Sequence, residues 1–346
     1  MVKKYFIKTF GCQMNESDSE WIDGFYQSLG FKLAEKIEEA DEMVINTCSV
    51  RESADNRVFG LINNLSKLKK KSRGFKLILT GCMLRYPSKE LKKKLPLVDE
   101  FRPISFYLKK APFAVRKFKQ VALLPISQGC NNFCSYCVVP YARGKEVSID
   151  FDQLIDSVKK LAESKYKEIV LLGQNVNSYG LDLKDRNKNF AQLLKKLHRI
   201  EGLEKISFLT SNPWDLTDEI IEIMKLPKIS REFHLALQSG DDQILKRMNR
   251  RYTSEDFLKR IKKLRKEIPE IKISTDIIVG FPGETRKQFE NTVEFCRKVG
   301  FVKAFVNRYS PRPGTVAFKF KDTITPPEKK RRWLMIDELI NRKEVE

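Results

Sequence analysis

The chain has 346 residues, 41% hydrophobic and 10% aromatic, enough apolar material to bury real cores. That excludes wholesale disorder and predicts two or three domains. Its formal charge of +21 points to a polyanionic partner, most simply nucleic acid. With no bilayer-length apolar stretch and no signal-peptide cleavage pattern, it reads as a soluble cytoplasmic protein without a membrane partner.

The first part alternates strands with helices. "KKYFIKTFGC" is an apolar run ending at Cys12, "ADEMVINTCSV" carries Cys48 at its end, and "FKLILTGCML" carries Cys82. Helix-compatible segments such as "NESDSEWIDGFYQSLG" and "VRESADNRVFGLINNLSKLKK" follow. This pattern predicts a parallel sheet covered on both faces, with ligand sites beyond the carboxyl ends of its strands. The three cysteines hold the same place in successive βα units, 36 and then 34 residues apart, so they converge at one sheet edge. Buried structural thiols are the alternative.

Residues 97–120, with Pro103, Pro112 and several lysines, read as a linker. A second series follows. Its strands are "VALLPIS" (121–127), "EIVLLG" (168–173), "ISFLTS" (206–211), "FHLALQ" (233–238), "ISTDIIVG" (273–280) and "AFVNRYS" (304–310). Amphipathic helices separate them. Six such units fall short of an eight-stranded barrel and predict a partial, open-sided one. The fold class is therefore α/β: an N-terminal parallel-sheet domain over 1–118, then a partial (β/α)6 barrel over 119–346.

Seven cysteines in a chain without a secretion signal favour metal or redox chemistry over disulfides. Three of them, Cys130, Cys134 and Cys137, are spaced C-x3-C-x2-C just after the first barrel strand, where such folds place their chemistry. A closed zinc or [4Fe–4S] site wants four protein ligands. Three leave one metal position open for a small molecule; a zinc knuckle with a distant fourth ligand is the alternative. Only His198 and His234 are available as imidazoles.

These stretches together resemble a known family. "KTFGCQMNESDSE", "NTCSVRESADNRVFG", "LTGCM", "GCNNFCSYCVVPYARGKEVS", "LLGQNVNSYG", "HLALQSGDDQILKRMNRRYT", "STDIIVGFPGET" and "YSPRPGT" resemble the methylthiotransferases of the radical S-adenosylmethionine (SAM) superfamily, over about residues 4–340. The resemblance implies two [4Fe–4S] clusters and SAM as cofactors. Cys130, Cys134 and Cys137 would hold the cluster whose open iron is chelated by SAM; Cys12, Cys48 and Cys82 would hold a second. It implies radical methylthiolation at adenine carbon 2 of an N6-isopentenyladenosine beside the anticodon of tRNA. "GCQMN" and "NTCSVRE" favour this branch over sisters acting on threonylcarbamoyl-adenosine or on a ribosomal-protein aspartate. A non-catalytic iron–sulfur RNA-binding protein is the rival from another class. Partners implied are the anticodon stem-loop of tRNA and an electron donor such as flavodoxin or ferredoxin, with the chain a monomer. The family continues into a small RNA-binding TRAM domain, which is expected to be absent here.

Cofactor contacts are expected from Phe133 and Tyr136 in the cysteine loop, and from Gln174 and Asn175 after the second barrel strand. Ser211 at the third, Gln238 at the fourth, Arg247 on the next helix, and Asp276 and Gly280 on the fifth complete the set. Strand-end caps, ordinary turns and a solvated basic helix face are the alternatives at these positions. Asn212 stands where the family more usually has His. Cys296 sits in a helical pattern and reads as a buried apolar thiol.

Overall fold

The computed structural model describes residues 2–50, 52–71 and 74–342. It divides into two compact units, Met1–Lys119 with Val138–Gly144, and Gln120–Cys137 with Lys145–Glu346. Among the described residues no helix is long and apolar enough to cross a membrane.

The first unit is built on five parallel strands: β1 (Lys4–Thr9), β2 (Lys32–Leu33), β3 (Glu42–Thr47), β4 (Lys76–Gly81) and β5 (Glu100–Phe101), in the order β2-β1-β3-β4-β5. The pleat sends alternate side chains of an apolar run to opposite faces. Thus Met43, Ile45, Leu77 and Leu79 pack with Val58, Ile62, Leu91 and Leu95 on one face. Val44, Ile78 and Tyr5 pack with Ile22, Phe25, Tyr26 and Tyr107 on the other. Two apolar faces explain why these strands are continuous hydrophobic runs.

Residues 97–120 are not a simple linker. They supply β5 and the helix Ile104–Lys110, whose Tyr107 is fully buried and meets Phe25 edge-on at 5.3 Å. Pro103 is the N-cap of that helix. There it interrupts nothing, because a helix start has unpaired N–H groups anyway.

The second unit carries β6 (Val121–Pro125), a short antiparallel pair of β7 (Ser127–Gln128) with β8 (Val147–Ser148), then β9 (Glu168–Leu172), β10 (Lys205–Phe208), β11 (Glu232–His234), β12 (Lys272–Val279) and β13 (Lys303–Arg308). Two three-stranded parallel sheets form, β6-β9-β10 and β11-β12-β13. Single parallel bridges, Ile206 with Ile229 and Ser211 with Leu235, join them into one six-stranded arc in chain order. The arc is an open partial barrel. Along β12, Ile273, Thr275, Ile277 and Val279 are buried toward the helices, while Ser274, Asp276 and Ile278 are only half-buried on the other face. The edge of β13 is covered by the helix Pro326–Asn341. Asn341 Nδ2 donates to Ala304 O at 2.8 Å, its Oδ1 accepts from Ala304 N at 2.9 Å, and Trp333 Nε1 donates to Val306 O at 2.8 Å. Such side chains take the place of a further strand.

Candidate metal centres

In the first unit, Cys12 is the N-cap of the helix Gln13–Ser28, Cys48 follows β3, and Cys82 opens the 3-10 turn Cys82–Arg85 after β4. Their strands are neighbours, with Thr9 opposite Asn46 and Thr47 opposite Gly81. The loops approach closely because glycine stands at two crossings. A Cβ on Gly11 (φ +140) would lie 2.3 Å from Asn15 Oδ1 and 2.9 Å from Cys48 Cβ; one on Gly81 (φ +88) would lie 2.4 Å from Thr47 O. Buried amides then tie the three loops together. Asn15 Nδ2 donates to Asn46 Oδ1 (3.2 Å) and Thr47 O (3.1 Å), and Asn46 Nδ2 donates to Asn15 O (2.8 Å). Thr47 Oγ1 donates to Thr80 O (2.6 Å) and accepts from Met83 N (3.1 Å). The thiols of Cys12, Cys48 and Cys82 are close enough to perturb one another electrostatically. Burial pushes the Cys48 thiol up to about 11, and pushes Cys82 up against the pull of Arg143.

Arg143 and Asp18 complete this site. Arg143 Nη2 donates to Asp18 Oδ2 at 2.8 Å, with the two side chains only 6% and 4% exposed. The guanidinium acts on the Cys82 thiol as hydrogen-bond partner and as positive charge, and its charge reaches Cys48 and Cys12. The sequence reading missed both residues, along with Asn15 and Asn46.

In the second unit, Cys130, Cys134 and Cys137 lie on one loop after β7. Gly129 (φ +82) and Phe133 (φ +47) take left-handed backbone and wrap it tightly. The loop is held from outside. Asn249 Nδ2 donates to Phe133 O at 3.0 Å, Ser135 N to Met248 O at 3.0 Å, Ser135 Oγ to Arg247 O at 2.8 Å, and Ala317 N to Ser135 O at 2.7 Å. Gly129 N donates to Gln174 Oε1 at 2.5 Å. Burial pushes the Cys130 thiol up to about 11. Arg250, another buried cation, reaches Cys134.

The remaining expected contacts separate into three groups. Ser211 Oγ and Gln238 Oε1 are buried without a hydrogen-bond partner, and Gln238 holds φ +69. Buried polar atoms are normally paired, so both are open to a polar ligand. Gln174, Asn175, Asp276 and Gly280 already have partners. Asn175 donates to Asp215 at 2.5 Å and accepts from Asn212 N at 3.1 Å, so its amide braces the strand end. Asp276 meets His234 Nε2 at 2.9 Å. Gly280 N donates to Glu284 at 2.8 Å, and a Cβ on Gly280 would lie 2.5 Å from Lys329 Cγ; helix packing is why glycine stands there. Arg247 lies over the rings of Phe281 and Phe320 at 5.8 and 5.5 Å, which anchors it instead of leaving a solvated basic face. Phe133 is exposed and Tyr136 is half-buried against Ile244, Met248 and Phe281.

Among the described residues no group of three His, Cys, Asp or Glu side chains is placed to hold a single metal ion. A four-iron cluster presents a separate iron to each thiolate, so its ligands ring a space instead of meeting at a point. None of the seven cysteines forms a disulfide. Two sets of three thiols, each with a buried arginine, fit an anionic thiolate-bound cluster. Unpaired Ser211 Oγ and Gln238 Oε1 fit a polar cofactor in the second unit. Not every basic side chain is available to RNA: Arg250, Lys329 and Arg332 are buried, the last two paired with Asp322 and Glu284. Lys92, Lys93 and Lys94 are exposed at the end of their helix.

The Radical SAM superfamily matches residues 124–296, and the uncharacterized protein family UPF0004 matches residues 4–102. Proteins named tRNA-2-methylthio-N(6)-dimethylallyladenosine synthase from Clostridium novyi (strain NT) and Dictyoglomus thermophilum are 42% and 43% identical to the chain. Each alignment covers 98% of this chain, and 81% and 82% of those proteins. Among solved structures, the radical SAM methyltransferase TsrM from Kitasatospora setae, with cobalamin and a [4Fe-4S] cluster bound, aligns with TM-score 0.65 at 12% identity, over 92% of this chain and 77% of that one. The cobalamin-dependent radical SAM enzyme OxsB aligns with TM-score 0.60 at 11% identity, over 99% and 56%. At these identities the structural likeness is one of fold.

Proposed function

We propose, because the chain belongs to the radical SAM superfamily and within it to the family of the tRNA-2-methylthio-N(6)-dimethylallyladenosine synthases, that it methylthiolates carbon 2 of N6-isopentenyladenosine in tRNA. The observation that carries this reading is the pair of three-thiol sites, one in each unit, both beyond the carboxyl ends of parallel strands. Cys130, Cys134 and Cys137 would hold the SAM-binding [4Fe–4S] cluster, and Cys12, Cys48 and Cys82 the auxiliary one. The adenine C2–H bond is neither acidic nor activated, so side-chain acid–base chemistry does not reach it. A reduced cluster with SAM supplies, when bound, the carbon radical that can take this hydrogen.

The chain's own residues prepare the site. Gln174 fixes the Gly129 N–H and with it the entry of the cysteine loop. Arg250 keeps a desolvated positive charge beside Cys134, which favours the thiolate needed for metal binding. Ser211 and Gln238 present free acceptors to the polar part of SAM. His234 holds Asp276 on the half-buried face of β12. Exposed lysines such as Lys92–Lys94 supply part of the phosphate attraction that tRNA binding requires, and a base modified at its edge must be extruded from its stack. The reading also implies a cytoplasmic monomer, reduced by a flavodoxin or ferredoxin.

Substrate choice is tested by offering the reconstituted enzyme isopentenylated tRNA, threonylcarbamoylated tRNA and ribosomal protein in parallel. The reading expects 2-methylthio product only from the first. Product from either of the others would transfer the chain to a sister activity.

A further inference from the structure

The cysteine loop that ends at Cys137 is followed, six residues later, by Arg143, and the segment Val138–Gly144 belongs to the first unit. There Arg143 is one of the least exposed cations of the chain. Its side chain is 6% exposed, its Nη2 donates to Asp18 Oδ2 at 2.8 Å, and Asp18 is itself 4% exposed. A desolvated ion pair is a poor device for stability alone, because the cost of removing two charges from water can exceed their mutual attraction. The pair stands beside three thiols. The helix Val139–Arg143 packs directly against the 3-10 turn Cys82–Arg85, which brings the guanidinium to Cys82, and its positive charge is felt at Cys82, Cys48 and Cys12. Asp18 takes one side of the guanidinium fork and fixes its direction, leaving other N–H groups for sulfur. Three thiolates on a cluster carry net negative charge in a site where Cys82 is buried and Cys48 half-buried. A fixed cation is what such a site lacks if the three cysteines are counted alone.

We infer that Arg143, oriented by Asp18, is a positioning residue of the auxiliary cluster: it donates to the Cys82 sulfur and offsets the charge of the three thiolates. This rests on the proposed assignment of Cys12, Cys48 and Cys82 as cluster ligands. The effect of Arg143 is on how firmly the cluster is held and on how readily it accepts an electron, since a nearby positive charge favours the reduced, more negative state.

The test uses the full chain with Cys130, Cys134 and Cys137 changed to Ala, so that only the auxiliary site can load. That parent is reconstituted with iron and sulfide under anaerobic conditions. Four irons per chain and a cluster spectrum uphold the ligand assignment; a parent that holds no iron contradicts that assignment and removes the inference with it. Arg143→Gln and Arg143→Lys are then added separately. Chelator-driven iron loss, the reduction potential and the melting of the apoprotein are measured for each. Arg143→Gln is expected to lose iron at least about tenfold faster than the parent, the low end of what outer-shell partners of metal ligands typically contribute, and to shift the potential to more negative values. Arg143→Lys keeps the charge without the fork and is expected to restore the potential while holding iron less firmly than the parent. Equal iron loss and equal potential in Arg143→Gln and the parent overturn the inference. So does an equal defect in both variants accompanied by a lowered apoprotein melt, because that is the signature of packing alone.

Discussion

Arg250 Nη1 lies 3.5 Å from Cys134 Sγ while Nη2 of the same guanidinium donates to Ala236 O at 2.8 Å. One buried arginine thereby ties a cysteine of the x3-x2 triplet to the backbone beyond β11. Trp214 and Tyr252 stand under it at 4.6 and 5.2 Å. Replacing it with Met keeps the length and removes the charge. Arg250→Met is expected to lower stability by about 1.5–3 kcal/mol, the contribution of a hydrogen bond to a charged group. It should also halve the iron bound after reconstitution, while Arg250→Lys keeps most of it. Denaturant melts and iron analysis check both, and full iron in Arg250→Met would separate Arg250 from the metal site.

Ser211 makes the opposite kind of prediction. Its buried Oγ has no partner, so Ser211→Ala removes an unsatisfied group from the apoprotein. The apoprotein should melt at the same temperature or higher, while SAM binding weakens roughly threefold to tenfold, the effect of one lost hydrogen bond. Calorimetric titration of SAM into the cluster-loaded protein measures the second part. An unchanged affinity would leave Ser211 a filler of the strand end.

Glu284 and Arg332 form a buried pair at 2.7 Å, and Glu284 also accepts from Gly280 N. Burial pushes the Glu284 carboxyl above its ordinary range, with Arg332 pulling it back. A carboxyl raised in the fold holds its proton more tightly there than in the unfolded chain. Stability linked to it is therefore present at low pH and lost as pH rises through the raised value. Arg332→Met removes the opposing cation and raises Glu284 further. The variant should be about 3–5 kcal/mol less stable than the parent at pH 8. The gap should narrow as pH falls toward the ordinary glutamate range near about 4.3. Melts across that pH range read it directly; a gap that widens toward low pH would reverse the assignment.

Cys296 sits in the core of the second unit, its thiol pushed up to about 12 by burial. Cys296→Ala should bind as much iron as the parent, about eight per chain for two four-iron clusters, whereas Ala at any one of the other six cysteines should lower the count. Iron loss in Cys296→Ala would place a ligand where the fold shows only hydrocarbon.

How much of this was legible in the residues alone depends on what kind of signal each element carries. The strands before Cys12, Cys48 and Cys82 read clearly, because a strand buried on both faces is a continuous apolar run and Val44 and Ile45 sit in one. The convergence of three cysteines followed from topology, since each ends a neighbouring strand. Residues 97–120 misled because Pro103 caps a helix instead of breaking one, and because the short apolar run around Tyr107, a core residue, ends in two lysines. Asn175 and Gly280 carry family motifs but already serve the fold, one through Asp215 and the other through Lys329 and Glu284. Arg143 and Asp18 lie 125 positions apart. No periodicity links a helix in the first unit to a turn that follows the triplet in sequence. Nor does charge distinguish Arg143 from the basic residues on the surface, for burial is a property of the fold.

The central claim is that two cysteine sites divide one reaction, and product analysis of two proteins tests it most directly. The full chain and its Cys12→Ala/Cys48→Ala/Cys82→Ala variant are reconstituted anaerobically and given SAM, dithionite and isopentenylated tRNA, and nucleosides are read by mass spectrometry. The account predicts 2-methylthio-N6-isopentenyladenosine and 5′-deoxyadenosine from the full chain, and 5′-deoxyadenosine alone from the variant. A modified nucleoside from the variant, or neither product from a fully iron-loaded parent, would contradict it.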